Sequence, residues 1–486
     1  MPTRTDIYVG GAWTRSSSDR EIVVCSPATG ELVGRVPDAS AADVDAAVVA
    51  ARRAFDAGPW PAMGPAQRAE VMRGLLEELA RRSQEMGSTI MAENGTPAML
   101  IGPAQVDNAL DVLRYYGEVA STLETEMLRA GRYSPALLRS EPVGVVAAVV
   151  PWNVPFFLTM MKLAPAMAAG CTVVLKAAPE TPLNAYLLAE AAHAAGVPAG
   201  VLNVLATGPE NSERLVTHAG VDKVAFTGST AVGKRIAGLA AAQLKRVTLE
   251  LGGKSAAIVL DDADLMTTMP RLSTLSMSLS GQFCIAQSRV LVPRTRYDEA
   301  VEILAAVVDG LRVGDPADPA TSIGPVISER QRDRVLGYID IGRAEGAVAV
   351  TGGRVPEGLD RGWYVAPTVF RDVTPRMRIA QEEIFGPVVA VLPYDDEDDA
   401  VAIANDSDFG LHGSVWTPDI GHGVAVARRV RTGTYSVNGL ALDPAMPFGG
   451  VKQSGLGREM GPEGLAAYQE LRTITVPAGT TVPGFA

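Results

Sequence analysis

"VGVVAAVV", Val143 to Val150, is an unbroken apolar run closed by the proline-framed turn "PWNVP" of residues 151 to 155. It is too short for an ordinary helix and uninterrupted by polar residues, as a strand buried on both faces would be. Four similar runs follow: "CTVVL" (171–175), "VLNVLA" (201–206), "KVAF" (223–226) and "RVTLEL" (246–251), each separated from the last by a helix-like segment. That alternation predicts a parallel, doubly wound sheet. Ligands on such sheets bind at the carboxyl ends of the strands. The residues found there are Asn153, Lys176, Thr207-Gly208, Thr227-Gly228-Ser229 and Glu250.

Working outward, Glu21 to Val36 reads as two strands around Pro27-Ala28-Thr29-Gly30, and Ser40-Ala41-Ala42-Asp43 as a capping box opening a helix to about Phe55. Helical patterns run on through Glu93 and again from Leu110 to Ala120. Beyond Gly252-Gly253 a second α/β region starts with "SAAIVL", a helix from about Asp264 to Ser278 and strands up to "TYSVN" at 434–438. Tyr133 to Ser140 and "LRTITVP" (471–477) are β-like pieces outside both patterns, and strands without a home sheet invite pairing with another subunit. The expected fold is therefore α/β: a Rossmann-like doubly wound cofactor domain (1–122 and 141–250), a second α/β catalytic domain (251–453) and a small β oligomerisation arm (123–140 and 454–486), giving a homodimer or homotetramer.

Composition narrows the function. With 486 residues and 47% hydrophobic content the chain can fill more than one core. Its net charge of −12, without a block of like charges, disfavours nucleic acid and anionic membranes. No apolar run approaches the roughly 20 residues of a membrane helix, and "MPTRTDIYVGG" has no apolar signal core, so a cytoplasmic location is expected. Three scattered cysteines (Cys25, Cys171, Cys284) argue against a disulfide framework and a thiolate metal site, and the isolated His193, His218, His412 and His422 offer no metal-ligand spacing; no metal is expected.

"GSTAVGK", Gly228 to Lys234, nearly matches the phosphate loop of nucleotide hydrolases, but Arg235 stands where a Mg²⁺-binding hydroxyl is required. What remains is a strand, a turn and a helix start, whose free N–H groups suit a pyrophosphate. Cys284, in "SGQFCIA", taken alone is a small buried hydrophobe. Gly281 and Gln282 beside it, and Arg289 beyond, are odd company for a purely apolar site. A thiol with an ordinary pKa of about 8.5 needs activation or a base. Glu250, interrupting an apolar run, and Asn153, in a stiff turn, are each ordinary alone; with Cys284 they form a nucleophile, a base and an amide donor, the inventory for chemistry at a carbonyl.

With these residues assembled, the chain resembles the aldehyde dehydrogenase superfamily, of the NAD(P)-dependent, non-acylating type, over nearly its whole length. The matching stretches are "PWNVP", "LKAAPETP" (175–182), "FTGSTAVGK" (226–234), "LELGGKS" (249–255), "GQFC" (281–284), "EEIFGPV" (382–388) and "PFGGVKQSGLGRE" (447–459). The resemblance implies oxidation of an aldehyde to its carboxylic acid, with Cys284 as nucleophile, Glu250 as general base and Asn153 as oxyanion donor. It implies a cofactor bound by Pro151, Trp152, Pro179, Glu180, Gly208, Phe226, Leu251, Gly252 and Phe385, with Lys176 as a ribose ligand, Glu383 as the nicotinamide-ribose ligand, and the turn of Gly228, Ser229, Val232 and Gly233 at the phosphates. Val154, Phe157, Leu158 and Met161, with Phe283, Ile285 and Phe448, would line an apolar substrate pocket.

Three departures matter. Pro179 replaces the Glu that many NAD-preferring members carry three residues after the Lys, so NADP is expected to be tolerated beside NAD. Leu279 stands where an Asn is common, and Gln287 where a small residue is, both bearing on the expected entrance of the site. Rival readings are a coenzyme A-acylating dehydrogenase, a thiol hydrolase needing a His near Cys284, a P-loop ATPase weakened by Arg235, and a non-catalytic scaffold.

Overall fold

In the computed structural model, which describes residues 4–480 and 482–485, the five apolar runs are the strands Val145–Val149, Thr172–Ala177, Leu202–Ala206, Lys223–Thr227 and Arg246–Glu250. All five pair in parallel, in the spatial order 246–250, 223–227, 145–149, 172–177, 202–206. The chain runs outward from Val145–Val149 to one side and returns to build the other half. The topological switch point therefore lies between Val145–Val149 and Lys223–Thr227, where open α/β sheets bind ligands. Helices Pro155–Ala169, Leu183–Ala194, Pro209–Thr217 and Thr230–Ala241 form the crossovers. Every residue of Pro155–Ala169 is buried, Lys162 included, so this helix packs on all sides rather than along one stripe.

The edges hold what the sequence reading did not foresee. Asp6–Val9 and Ala12–Arg15 form a hairpin that extends the sheet antiparallel to Leu202–Ala206. Its two-residue turn is Gly10-Gly11, both with positive φ, the backbone a tight hairpin requires. At the opposite edge Gly455–Leu456 pairs with Arg246–Glu250. A segment from near the chain's C-terminus thus closes over the Glu250 strand.

A second sheet runs Val348–Thr351, Thr368–Arg371, Val388–Tyr394, Arg289–Pro293, Ala256–Val259, Gly413–Trp416, Ser436–Val437, parallel except at its first pair. The expected hairpin forms as Glu21–Cys25 and Leu32–Pro37, and Ser40 and Asp43 close a reciprocal capping box on helix Ala41–Ala57. The β-like pieces outside both patterns become a three-stranded antiparallel sheet, Glu126–Arg129, Ala136–Pro142 and Gln469–Thr475.

Candidate active site

Asn153 follows the switch-point strand directly and is 9% exposed. Its amide Nδ2 donates to the Gln282 carbonyl at 2.9 Å, tying the turn after the first strand to the segment that carries Cys284. That segment is unusual: Leu279, Ser280 and Gly281 are consecutive left-handed residues, with φ of 54°, 57° and 68°. Gly281 is obligatory there, because a Cβ would sit 2.1 Å from the Gly386 carbonyl oxygen. The two non-glycine residues store strain of the kind that collects at functional sites. Gln282 holds the turn from both ends, donating to the Leu279 carbonyl at 3.2 Å and accepting from the Ile327 N–H at 2.9 Å.

Asn153 and Cys284 both line a cavity of about 350 Å³. Val154, Phe157, Leu158, Met161, Phe283, Ile285 and Phe448 line it too, so every residue named from the sequence for the substrate pocket lies on one wall or another. The remaining wall comes from Leu100, Pro103, Ala104 and Asn108, from Thr274, Leu275, Ser278 and Leu279, and from Leu440, Leu442 and Met460. Sequence reasoning missed these, apart from Leu279, because they come from segments distant in the chain with no motif of their own. Gln287, expected near the entrance, is not there. It is fully buried, accepting from the Ser414 hydroxyl through its side chain and from the Ser276 hydroxyl through its backbone. Among the described residues no Asp, Glu, Lys, Arg or His lines the cavity. Glu250 is not on this wall either; it acts on the Cys284 thiol through its charge.

The Cys284 thiol is pushed up from its ordinary value, first by burial, then by the negative charges of Glu383 and Glu250; the N–H groups of Cys284 and Ile285 face it and offset part of this. Glu250 ends its strand 2% exposed, and neither carboxylate oxygen has a hydrogen-bond partner among the described residues. Burial raises its pKa well above the carboxylate range, and the anion of Glu459 raises it further, against the opposing pull of Lys162 and Arg458. A desolvated, unpartnered carboxyl holds a proton more tightly than an ordinary carboxylate, which is what a general base requires.

Behind Glu250 lies a feature the sequence reading did not assign. Lys162 Nζ donates to Glu459 Oε1 at 2.8 Å and to Thr227 Oγ1 at 2.6 Å, with both charged side chains fully buried. Thr227 stands opposite Glu250 in the strand register. A lysine in an otherwise apolar helix was the available signal, since such a charge is buried only when paired.

The cofactor candidates surround the strand ends. Lys176, next to last in its strand, is almost buried, its pKa pushed down to about 8 by desolvation, with Glu180 pulling it partly back. Pro179 and Glu180 are half-buried on the following loop, and Gly208 caps helix Pro209–Thr217. Gly228 donates its N–H to the Glu250 carbonyl, and Ser229 N-caps helix Thr230–Ala241 by accepting from Val232 N–H. Phe226 packs on Gly228 and Leu251 on Gly233, while Val232 is exposed. Glu383 accepts from Gly253 N–H at 2.9 Å, and a Cβ on Gly252 would meet its other oxygen at 2.4 Å, so only glycine admits that carboxylate. Trp152, next to Pro151, meets Phe385 edge-on at 5.5 Å. A desolvated lysine and a capped helix start at the carboxyl ends of one sheet, with a carboxylate packed on Gly252-Gly253 just past that sheet's edge strand, fit a dinucleotide with its phosphates at the helix N-terminus.

Residues 13–474 match the aldehyde dehydrogenase family. The chain belongs to that family. A geranial dehydrogenase of Castellaniella defragrans is 46% identical over 469 residues, 96% of this chain and 98% of the relative. Betaine aldehyde dehydrogenase of Brucella ovis is 39% identical over 475 residues, 97% of each chain. Among solved structures, an aldehyde dehydrogenase of Mycobacterium tuberculosis complexed with NAD+ superposes with a TM-score of 0.97 at 49% identity, covering 99% of both chains. A mutant of aldehyde dehydrogenase C from Pseudomonas syringae, complexed with NAD+ and octanal, superposes at 0.95 with 39% identity over 98% of both. As an aldehyde dehydrogenase, the enzyme oxidises an aldehyde to the carboxylic acid with NAD.

Proposed function

We propose that this aldehyde dehydrogenase acts on apolar, medium-chain or monoterpenoid aldehydes. One observation carries the reading: the cavity that ends on Cys284 and Asn153 has an apolar wall with no ionisable side chain other than the thiol among the described residues. The geranial dehydrogenase and the octanal complex among the relatives support it. A quaternary ammonium aldehyde finds neither a carboxylate nor a Trp or Tyr ring in that wall.

In the proposed reaction the Cys284 thiol gives up its proton to solvent water, and the sulfur, as thiolate, adds to the carbonyl carbon. The oxygen takes the electron pair and is held by Asn153 Nδ2 and the Cys284 N–H. Loss of one such donor typically costs about 10²- to 10³-fold. When bound, the nicotinamide would supply the acceptor for the hydride that leaves the substrate carbon, and a positive charge that favours the thiolate. The carbonyl re-forms as a thioester on Cys284. Glu250 takes a proton from water, the hydroxide displaces the sulfur, and the acid leaves. Lys176, Glu383 and the turn from Gly228 to Gly233 would hold the dinucleotide.

Because each buried methylene is worth about 0.8 kcal/mol, kcat/KM is expected to rise roughly fourfold per methylene from propanal until the cavity is full. Octanal and geranial should stand at least about 100-fold above betaine aldehyde and succinic semialdehyde. A maximum on either charged substrate would overturn the assignment. The same screen should show turnover with NADP+ as well as NAD+, as Pro179 leaves Glu180 the one carboxylate acting on Lys176, and no acceleration of product release by added coenzyme A.

We also assign oligomerisation to the three-stranded sheet. Among the described residues its outer strands have free edges, and Met127 and Leu471 on it, with Tyr133 in its connecting loop, are exposed at 49%, 74% and 85%. Light scattering should find a dimer or tetramer for the full chain and a smaller species when Leu471 is changed to Glu; a monomeric wild type contradicts the assignment. No described helix is long and apolar enough to cross a membrane, and the cytoplasm is the expected location.

A further inference from the structure

A group of buried polar side chains has no part in the chemistry above. Between helices Ser83–Asn94 and Asp107–Ser121 the chain makes a π-helical turn, Ile101–Val106, in which the Asp107 N–H reaches back to the Gly102 carbonyl. Such a turn carries one residue more than an α-helical turn and is concentrated at functional sites. Pro103 and Ala104 in it, with Leu100 before and Asn108 after, face the substrate cavity. Gln105 points the other way and is fully buried. Its Nε2 donates to the Asn153 backbone carbonyl at 3.0 Å and to Thr96 Oγ1 at 2.9 Å. Asn94 Nδ2 donates to the same Asn153 carbonyl at 3.1 Å, and Asn94 Oδ1 accepts from Thr96 N–H at 2.9 Å.

Two buried amides from separate segments are thus committed to one peptide carbonyl, that of the residue whose side chain faces the reacting oxygen. Gln105 Oε1 is left without a partner among the described residues, so the side chain is held in place for its donor. Each helical residue turns the chain by roughly 100°. Deleting the extra residue of the π turn would swing Gln105 off the carbonyl.

We propose that Gln105 and Asn94 are positioning residues for the oxyanion donor, and that the π turn links the substrate-facing wall to Asn153. The inference rests on the oxyanion role of Asn153 proposed above. With the Asn153 peptide pinned, its side chain meets the developing oxyanion without reorganising. Released, the turn drifts by fractions of an ångström, enough to lose rate without losing the cavity, the cofactor crevice or the nucleophile.

The test is single-turnover nicotinamide reduction, with enzyme in excess over octanal at saturating NAD+, for Gln105→Leu, Asn94→Ala, Asn153→Ala and the double variant Gln105→Leu/Asn153→Ala. Gln105→Leu keeps the volume and removes both hydrogen bonds. The first two variants should each slow the single-turnover rate on the order of 10-fold, with the NAD+ dissociation constant and the melting temperature unchanged. Asn153→Ala should slow it about 100-fold, and the double variant no further, because nothing is left to position. A wild-type rate in both Gln105→Leu and Asn94→Ala beside a slow Asn153→Ala overturns the positioning role alone. So does a double variant in which the two losses multiply. If Gln105→Leu lowers the melting temperature, Asn94→Ala decides by the same criteria. A wild-type rate in Asn153→Ala removes the oxyanion assignment and this inference with it.

Discussion

Glu250→Gln is expected to reduce one equivalent of NAD+ per active site and then to turn over on the order of 10³-fold more slowly than the wild type, within the usual range for loss of a general base. The two phases separate because Glu250 bears differently on the two halves of the reaction. Its negative charge raises the Cys284 pKa, so neutralising it does not hinder formation of the thiolate. Acylation and hydride transfer should proceed. Hydrolysis of the thioester is another matter: water needs a base, Glu250 is the carboxyl with two unpartnered oxygens close enough to bias the thiol, and Gln offers no comparable proton affinity. Stopped-flow absorbance of the reduced nicotinamide, with mass spectrometry of the quenched enzyme, should show the burst and an acyl group on Cys284. Undiminished steady-state turnover would remove Glu250 as the base. Absence of any burst would mean that the same carboxylate also activates the thiol.

The fold was legible because it depends on local patterns. Five apolar runs separated by helices specify a parallel sheet, and polar residues at their ends locate its crevice before any distance is known. The hairpin Asp6–Val9/Ala12–Arg15 was not foreseen, although Gly10-Gly11 between two short β-like runs was its signal. The site divides in the same way. Residues inside recognisable stretches, such as Asn153, Glu250, Cys284 and Glu383, could be named from the sequence. The wall from Leu100 to Asn108 and the pair Leu440 and Leu442 could not, because what brings them to the cavity is packing between segments over three hundred positions apart. Nor does the sequence reveal the electrostatics: that burial and two carboxylates raise the Cys284 thiol follows only from the folded chain.

Lys162→Met should lower the stability of the folded chain by about 3–5 kcal/mol, seen as a reduced denaturant midpoint with an unchanged slope, because it removes one partner of a fully buried ion pair and strands the other. Glu459 would keep its carboxylate in a site where burial already raises its pKa and only Lys162 and Lys223 pull it back. Thr227 would lose its charged donor as well. The double variant Lys162→Met/Glu459→Leu should recover most of the loss, because an apolar pair of similar volume leaves no charge stranded. If the double variant is as unstable as the single one, the loss comes from packing in helix Pro155–Ala169 rather than from the unpaired carboxylate. Stability and catalysis should then part company. Glu459 is the largest charge acting to raise Glu250, so the recovered double variant, freed of both the anion and the weaker opposing cation, should carry a Glu250 with a lower pKa. The limb of thioester hydrolysis that follows Glu250 ionisation should move to lower pH. A chain that regained its stability but kept the wild-type limb would show that Glu250 is insulated from the pair behind it.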